Sequence, residues 1–144
     1  MKAYWDTSAI IPLYVREINS EQAASCLAAQ AGGILLTPLH QLEFANALEL
    51  LLFRREINRT AAKAAHAAWM DDRRHGVFVP RPLPEAVFAT AVRLAESETA
   101  RRGTRSLDVL HVAAAVDLEA DRFLTFDRRQ KAFAAAAGLK LVRQ

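Results

Sequence analysis

A single cysteine, Cys26, stands in a chain of 144 residues. No disulfide can form within the chain, and such thiol usage suits a reducing compartment. Aromatic residues make up only 8%, so the 52% apolar content rests largely on Ala and Leu, and helix is expected to exceed strand. Glycine and proline number five each. No low-complexity linker, internal repeat or composition break divides the chain, and a single globular domain over residues 1–144 is expected. Charge of one sign is scarce as well. Nineteen basic against sixteen acidic residues give +3, which argues against a charge-expanded disordered chain and is too mild to name a polyanionic partner. Long hydrophobic runs are missing: Ile34–Phe53 is broken by His40, Glu43 and Glu49, and Asp6 cuts short the N-terminal run. Neither a membrane span nor an export segment is expected, and the default is a cytoplasmic protein.

What is present alternates. Short apolar runs at Lys2–Trp5, Ile34–Thr37, Val77–Val79 and Arg122–Thr125 read as buried strands, with a fifth at Leu139–Val142. Between them lie helical segments: Thr7 to about Val15 with Thr7 and Ser8 as caps, Ser20 to about Ala31, and Pro38 to about Arg55. Further segments run from Asn58 or Arg59 to His75, from Pro84 to Arg101, from a Ser106 cap to Ala120, and from Asp127 to Ala137. Strands separated by helices, with no hairpin dipeptides, predict an α/β domain with a mainly parallel sheet of four to five strands covered on both faces.

In such a sheet, ligands bind beyond the carboxyl ends of the strands. Asp6 directly follows the first strand, and Asp127 lies two residues beyond Thr125 at the fourth. Each alone also fits a helix-capping role. Glu43 shares a helix face with Leu39, Asn46, Ala47 and Leu50. Asp108 opens a helix that is apolar nearly all round from Leu107 to Leu118. An acid at the edge of a wide apolar stripe, or in the first turn of a helix, accounts for either singly; all four together are harder to explain that way. Converging carboxylates repel one another unless a cation offsets them. Hard oxygen donors without a Cys or His cluster select Mg²⁺ or Mn²⁺, and such a centre suits phosphodiester hydrolysis.

At these residues the sequence resembles the PIN-domain ribonucleases, and among them the VapC toxins of bacterial toxin–antitoxin pairs. The matching blocks are Tyr4-Trp5-Asp6-Thr7-Ser8-Ala9, Leu42-Glu43-Phe44-Ala45-Asn46-Ala47, Arg105 to Ala115, and Phe123 to Gln130, closed by Ala136-Ala137-Gly138-Leu139. They span nearly the whole chain in order and spacing. The resemblance implies a PIN-like three-layer α/β/α domain with about seven helices and a Mg²⁺- or Mn²⁺-dependent endoribonuclease. It implies an acidic quartet of Asp6, Glu43, Asp108 and Asp127, with Asp6 and Asp108 as direct ligands and Glu43 and Asp127 acting through water or a second ion. Thr7, Ser8 and Thr125 fall at supporting positions, where hydroxyls orient carboxylates or bound water; capping and strand-end hydrogen bonding serve as equal readings. A small VapB-like antitoxin covering the acidic groove, and a toxin homodimer, are further implications.

Arginines gather at predicted helix ends, where favourable dipole interaction is sufficient reason for most. Arg105, Arg128 and Arg129 adjoin Asp108 and Asp127 and are candidates for holding RNA phosphates, with pairing to an antitoxin carboxylate as the alternative for Arg105 and Arg128. The four histidines show no ligand spacing. His111, one turn after Asp108, reads as a core or helix-face residue with a secondary role beside the metal as the alternative. Cys26, Trp5, Trp69 and most phenylalanines are assigned to the core, and Asp72 and Asp117 to the surface or to helix ends. Glu119 and Asp121 are placed at the surface or the rim of the site. Two rival enzyme classes fit less well. Haloacid-dehalogenase-like phosphatases expect a second Asp where Ser8 stands, and receiver domains expect paired acids and a late Lys. A catalytically silent PIN-like RNA-binding or scaffolding module remains the non-enzymatic reading. With the quartet set aside, 12 of the 16 acids face 19 bases, so the remaining surface is distinctly basic.

Overall fold

The computed structural model describes all residues, Met1–Gln144. Four three-residue strands, β1 (Ala3–Trp5), β2 (Ile34–Leu36), β3 (Phe78–Pro80) and β4 (Arg122–Leu124), form one sheet in the order β3-β2-β1-β4. Every pairing is parallel. Seven α-helices connect them: α1 (Thr7–Ile10), α2 (Ser20–Ala28), α3 (Pro38–Phe53), α4 (Arg59–Arg74), α5 (Val87–Arg102), α6 (Ser106–Asp117) and α7 (Arg128–Ala136). The three-layer α/β/α arrangement is the expected one.

The strands are apolar on both faces because both are covered. Tyr4, Leu35 and Phe123 point to a core shared with α5, α6 and α7 through Val87, Val109, Val112 and Phe133. Their alternates Ala3, Trp5, Ile34, Leu36 and Leu124 point to a second core with α3 and α4 through Phe44, Leu48 and Trp69. Phe44 and Trp69 stack at 4.2 Å between ring centroids, and Tyr14 meets both edge-on. As expected, both tryptophans are buried. Phe53 and Phe88 are the exceptions among the phenylalanines, 84% and 66% exposed. Cys26 is half-buried rather than enclosed.

Several element ends differ from expectation. The fifth strand is reduced to one parallel bridge, Phe123 to Leu141, closed by Phe123 N–H on the Lys140 carbonyl and Val142 N–H on the Phe123 carbonyl. The segment after α1 tightens into a 3₁₀ turn at Ile11–Leu13 around Pro12. Helix α2 stops at Ala28, short of Ala31, and α6 at Asp117, with Glu119 in the left-handed region at φ 55°. Helix α5 begins at Val87 rather than Pro84; the Pro84 carbonyl accepts the Val87 N–H in a turn instead. Thr7, Ser8 and Ser106 lie within the first turns of their helices and do not cap them; the N-cap positions are Asp6 and Arg105, neither with a side-chain cap bond. No helix is long and apolar enough to cross a membrane.

The strand order places the topological switch between β1 and β4, because the chain steps outward from β1 to β2 and β3 and later returns to β1's other side. Asp6 N–H extends that seam by donating to the Leu124 carbonyl at 2.8 Å. The carboxyl ends of β1 and β4 therefore open at the position where parallel α/β sheets bind ligands.

Candidate metal centre and its surroundings

Asp6 leaves β1 at this switch point and is 95% buried, since its relative exposure is 5%. Its Oδ2 accepts hydrogen bonds from Ser8 Oγ (2.7 Å) and Thr125 Oγ1 (3.0 Å). Thr125, just beyond β4, also accepts the Asp127 N–H at 3.1 Å. Glu43 comes from α3 and is half-buried. Its Oε1 accepts from Thr7 Oγ1 at 2.8 Å and from the His111 Nε2. In both carboxylates the protein's donors converge on one oxygen and leave the second without a protein hydrogen bond.

Asp108 sits in the first turn of α6, and Asp127 is the N-cap of α7, where its Oδ1 accepts the Gln130 N–H at 2.8 Å. Gln130 ties the two elements together, donating from Nε2 to the Asp108 carbonyl at 2.9 Å. Burial raises the Asp108 pKa above its ordinary value, and the negative charges of Asp6 and then Asp127 add to it against the pull of Arg105 and His111. Glu43 behaves oppositely. Burial pushes it upward, but the His111 hydrogen bond, the charge of that ring when protonated, and Thr7 outweigh burial and hold Glu43 below the usual range.

The four acids thus gather at one mouth from four elements. No three acidic, histidine or cysteine side chains, however, stand close enough as they are to share one ion. The donor chemistry still fits a hard divalent cation: Asp6 Oδ1, with only the His111 Nε2 nearby at 3.9 Å, and Glu43 Oε2 accept no protein hydrogen bond, and Asp108 holds its proton more tightly through burial first and then the negative charges of Asp6 and Asp127. A cleft beside the acids, lined by Arg105, Asp108, Asp127, Arg128 and Arg129, opens between the N-termini of α6 and α7. Arg105 is 90% exposed with its Nε 3.8 Å from Asp108 Oδ2, and Arg128 and Arg129 are exposed.

Tyr4, His40 and His111 form a buried polar group beneath the mouth that sequence reasoning did not assemble. Tyr4 Oη lies 2.7 Å from His111 Nδ1, and the two histidine rings are 4.9 Å apart. Burial pushes the Tyr4 phenol far above its ordinary pKa, with Asp6 and Glu43 adding. Burial, then the His111 ring, lowers His40 to about 3. The available signal was His111 one turn from Asp108 on a buried face, joined to Tyr4 pointing to the same face. Asp72, in the last turn of α4, and Asp117, the last residue of α6, are helix-end acids as expected, and each also accepts a hydroxyl, from Tyr14 at 2.6 Å and Thr90 at 2.9 Å. Glu119 and Asp121 lie away from the mouth. Asp121 precedes β4 and accepts the Lys2 N–H at 2.6 Å, at the amino ends of the strands.

A parallel α/β/α domain with an acidic mouth at its switch point is the class that fold and site define. The chain belongs to the PIN domain family, whose signature matches residues 3–136. No curated protein sequence matches it. Among solved structures, the fold is similar to Mycobacterium tuberculosis VapC20, described as a sarcin-ricin loop cleaving toxin, with TM-score 0.70 and 19% identity over 99% of both chains. FitAcB from Neisseria gonorrhoeae gives TM-score 0.70 and 17% identity over 98% of this chain and 96% of the other. VapBC2 from Rickettsia felis, bound to a DNA fragment from its promoter, gives 0.68 and 12% over 99% and 98%.

Proposed function

We propose that the protein is a Mg²⁺- or Mn²⁺-dependent endoribonuclease, the toxin of a VapBC-type pair. The observation that carries the reading is the gathering of Asp6, Glu43, Asp108 and Asp127 at the carboxyl ends of β1 and β4, beside three exposed arginines. Membership of the PIN family and likeness in fold to VapC20 and VapBC2 support it. When bound, the cation supplies a nucleophilic water at neutral pH and offsets charge on the phosphodiester. Asp6 and Asp108 would hold it directly, with Glu43 and Asp127 acting through water or on a second ion. Thr7, Ser8 and Thr125 fix the carboxylates through their hydroxyls. Arg105, Arg128 and Arg129 hold RNA phosphates beside the acids without reading sequence.

Partners follow from the same reading. A small VapB-like antitoxin covers the mouth, the toxin pairs as a homodimer, and both act in the cytoplasm with the RNA. Large apolar side chains left outward on α3 and α5, Leu42, Phe53, Phe88 and Val92, are consistent with covered faces. The rival reading, a silent module that binds RNA or scaffolds, is favoured by one observation: no three ligating groups share a coordination sphere as they stand.

One experiment separates the two. Purified protein is incubated with structured RNA and Mn²⁺, with and without EDTA, beside Asp6→Ala and Asp108→Ala. Cleavage that requires the ion and is lost in both folded variants supports the nuclease. Cleavage surviving EDTA or either substitution sinks it, and RNA binding without cleavage by the metal-loaded parent establishes the silent module.

A further inference from the structure

The two fully buried histidines differ in what they hold. His40 is a backbone staple: its Nδ1 accepts the Thr37 N–H at 2.9 Å and its Nε2 donates to the Trp5 carbonyl at 2.8 Å. This joins the start of α3 to the end of β1. His111 touches no backbone partner. Its ring lies between Tyr4 of β1, 107 residues away, and Glu43 of α3, 68 residues away.

The proton on His111 follows from its neighbours. A carboxylate only accepts, so the nitrogen facing Glu43, Nε2, carries hydrogen. Nδ1 is then left to accept from the Tyr4 hydroxyl, whose proton burial keeps on the phenol. The same Nε2 lies 3.2 Å from Thr7 Oγ1, which itself donates to Glu43 Oε1. Two donors from two elements thus meet on one oxygen of a half-exposed carboxylate, and Oε2 has no protein partner. A histidine serving the core alone needs no such link to the mouth.

We propose that His111 is a positioning residue for the acidic cluster. Aimed by Tyr4, its Nε2–H fixes Oε1 of Glu43 and leaves Oε2 free to take a divalent cation, directly or through water. The inference rests on the divalent-cation reading given above. Tyr4, His111 and Glu43 act as one oriented chain of hydrogen bonds running from the sheet to the site. Partners of this kind fix ligand orientation, and their loss typically weakens metal binding by about 10–100-fold.

Mn²⁺ titration calorimetry on the full chain, without RNA, is the test, with circular dichroism as the check of folding. His111→Leu is expected to weaken Mn²⁺ binding by about 10–100-fold. His111→Gln, which returns an N–H near the place of Nε2, is expected to recover most of that loss, and Tyr4→Phe to fall between the two. Should His111→Leu fail to fold, Tyr4→Phe and imidazole ¹⁵N NMR of the parent carry the test: hydrogen on Nε2 and weakened binding in Tyr4→Phe are expected. Hydrogen on Nδ1 with Nε2 bare overturns the proposal. So does a folded His111→Leu that binds Mn²⁺ like the parent, a folded His111→Gln that loses as much as Leu, or a Tyr4→Phe that binds unchanged. Any of these leaves the nuclease reading standing, whereas a parent that binds no Mn²⁺ overturns that reading and this role with it.

Discussion

Asp108 and Glu43 face the same mouth yet their titrations pull stability in opposite directions. Asp108 is raised, by burial first and then by Asp6, so its ionised form is less favourable folded than unfolded. That penalty is absent well below the ordinary value of 3.8 and grows as pH rises through the folded pKa. In metal-free buffer, Asp108→Asn is therefore expected to melt higher than the parent at pH 7, the gap closing as the pH falls toward 3.8. Adding Mn²⁺ should narrow the gap at pH 7, because a bound ion stabilises the parent more. Glu43 is lowered below 4.5 by His111 and Thr7 despite burial, so its stabilisation is present above that value and is lost as pH falls through the folded pKa. Glu43→Gln should accordingly melt lower than the parent at pH 7, with the deficit fading in acid. Thermal melts across pH check both signs, and equal behaviour of the two variants would contradict the account. Asp6 and Asp108 were readable as candidates from their places after a strand and at the head of an apolar helix. A role for His111 beside the acids was legible only as an alternative, from its place one turn after Asp108; its partner Glu43 was not, because helical spacing carries no information about another element.

At the scale of elements, helix starts divide into those with a local partner and those whose side chains serve the site. Asn58 caps α4 by accepting the Ala61 N–H at 2.8 Å, well away from the acids. Asn58→Ala should cost about 1 kcal/mol of unfolding free energy in denaturant melts, with RNA cleavage unchanged. Thr37 and His40 close a reciprocal capping box at α3, with Pro38 in its first turn. Asp127 both caps α7 and faces the mouth, whereas Ser8 gives its hydroxyl to Asp6. The Ser8 and Ser106 caps expected from sequence failed because a capping residue type marks a helix start only to within a residue or two. The fifth strand failed for a related reason: Leu139–Val142 has the right composition, but only its centre meets β4.

For the whole molecule, charge partition matters more than net charge. Outside the quartet, 12 acids remain against 19 bases, and Arg105, Arg128 and Arg129 concentrate part of that excess at the mouth. If these arginines meet phosphates, binding of a cleavage-resistant single-stranded RNA should weaken with salt. Each arginine replaced by Ala should then flatten the slope of log K against log salt by about 0.7. A slope unchanged in Arg128→Ala/Arg129→Ala would remove those two from the RNA path. Replacing Arg54 and Arg55, at the far end of α3 and outside the cleft, serves as the comparison and should leave the slope as it was.

The sequence by itself determined the layer architecture, because a strand apolar on both faces is stable only between two helical layers. It also marked the four acids, because each breaks a local apolar pattern or follows a strand. Only the tertiary structure decided that β1 and β4 are neighbours across a switch point, and so that Asp6, Thr125 and Asp127 share one mouth. It alone joined Tyr4, His111 and Glu43. Periodicity reports which face a residue takes on its own element, while distances between elements are set by strand order and helix packing.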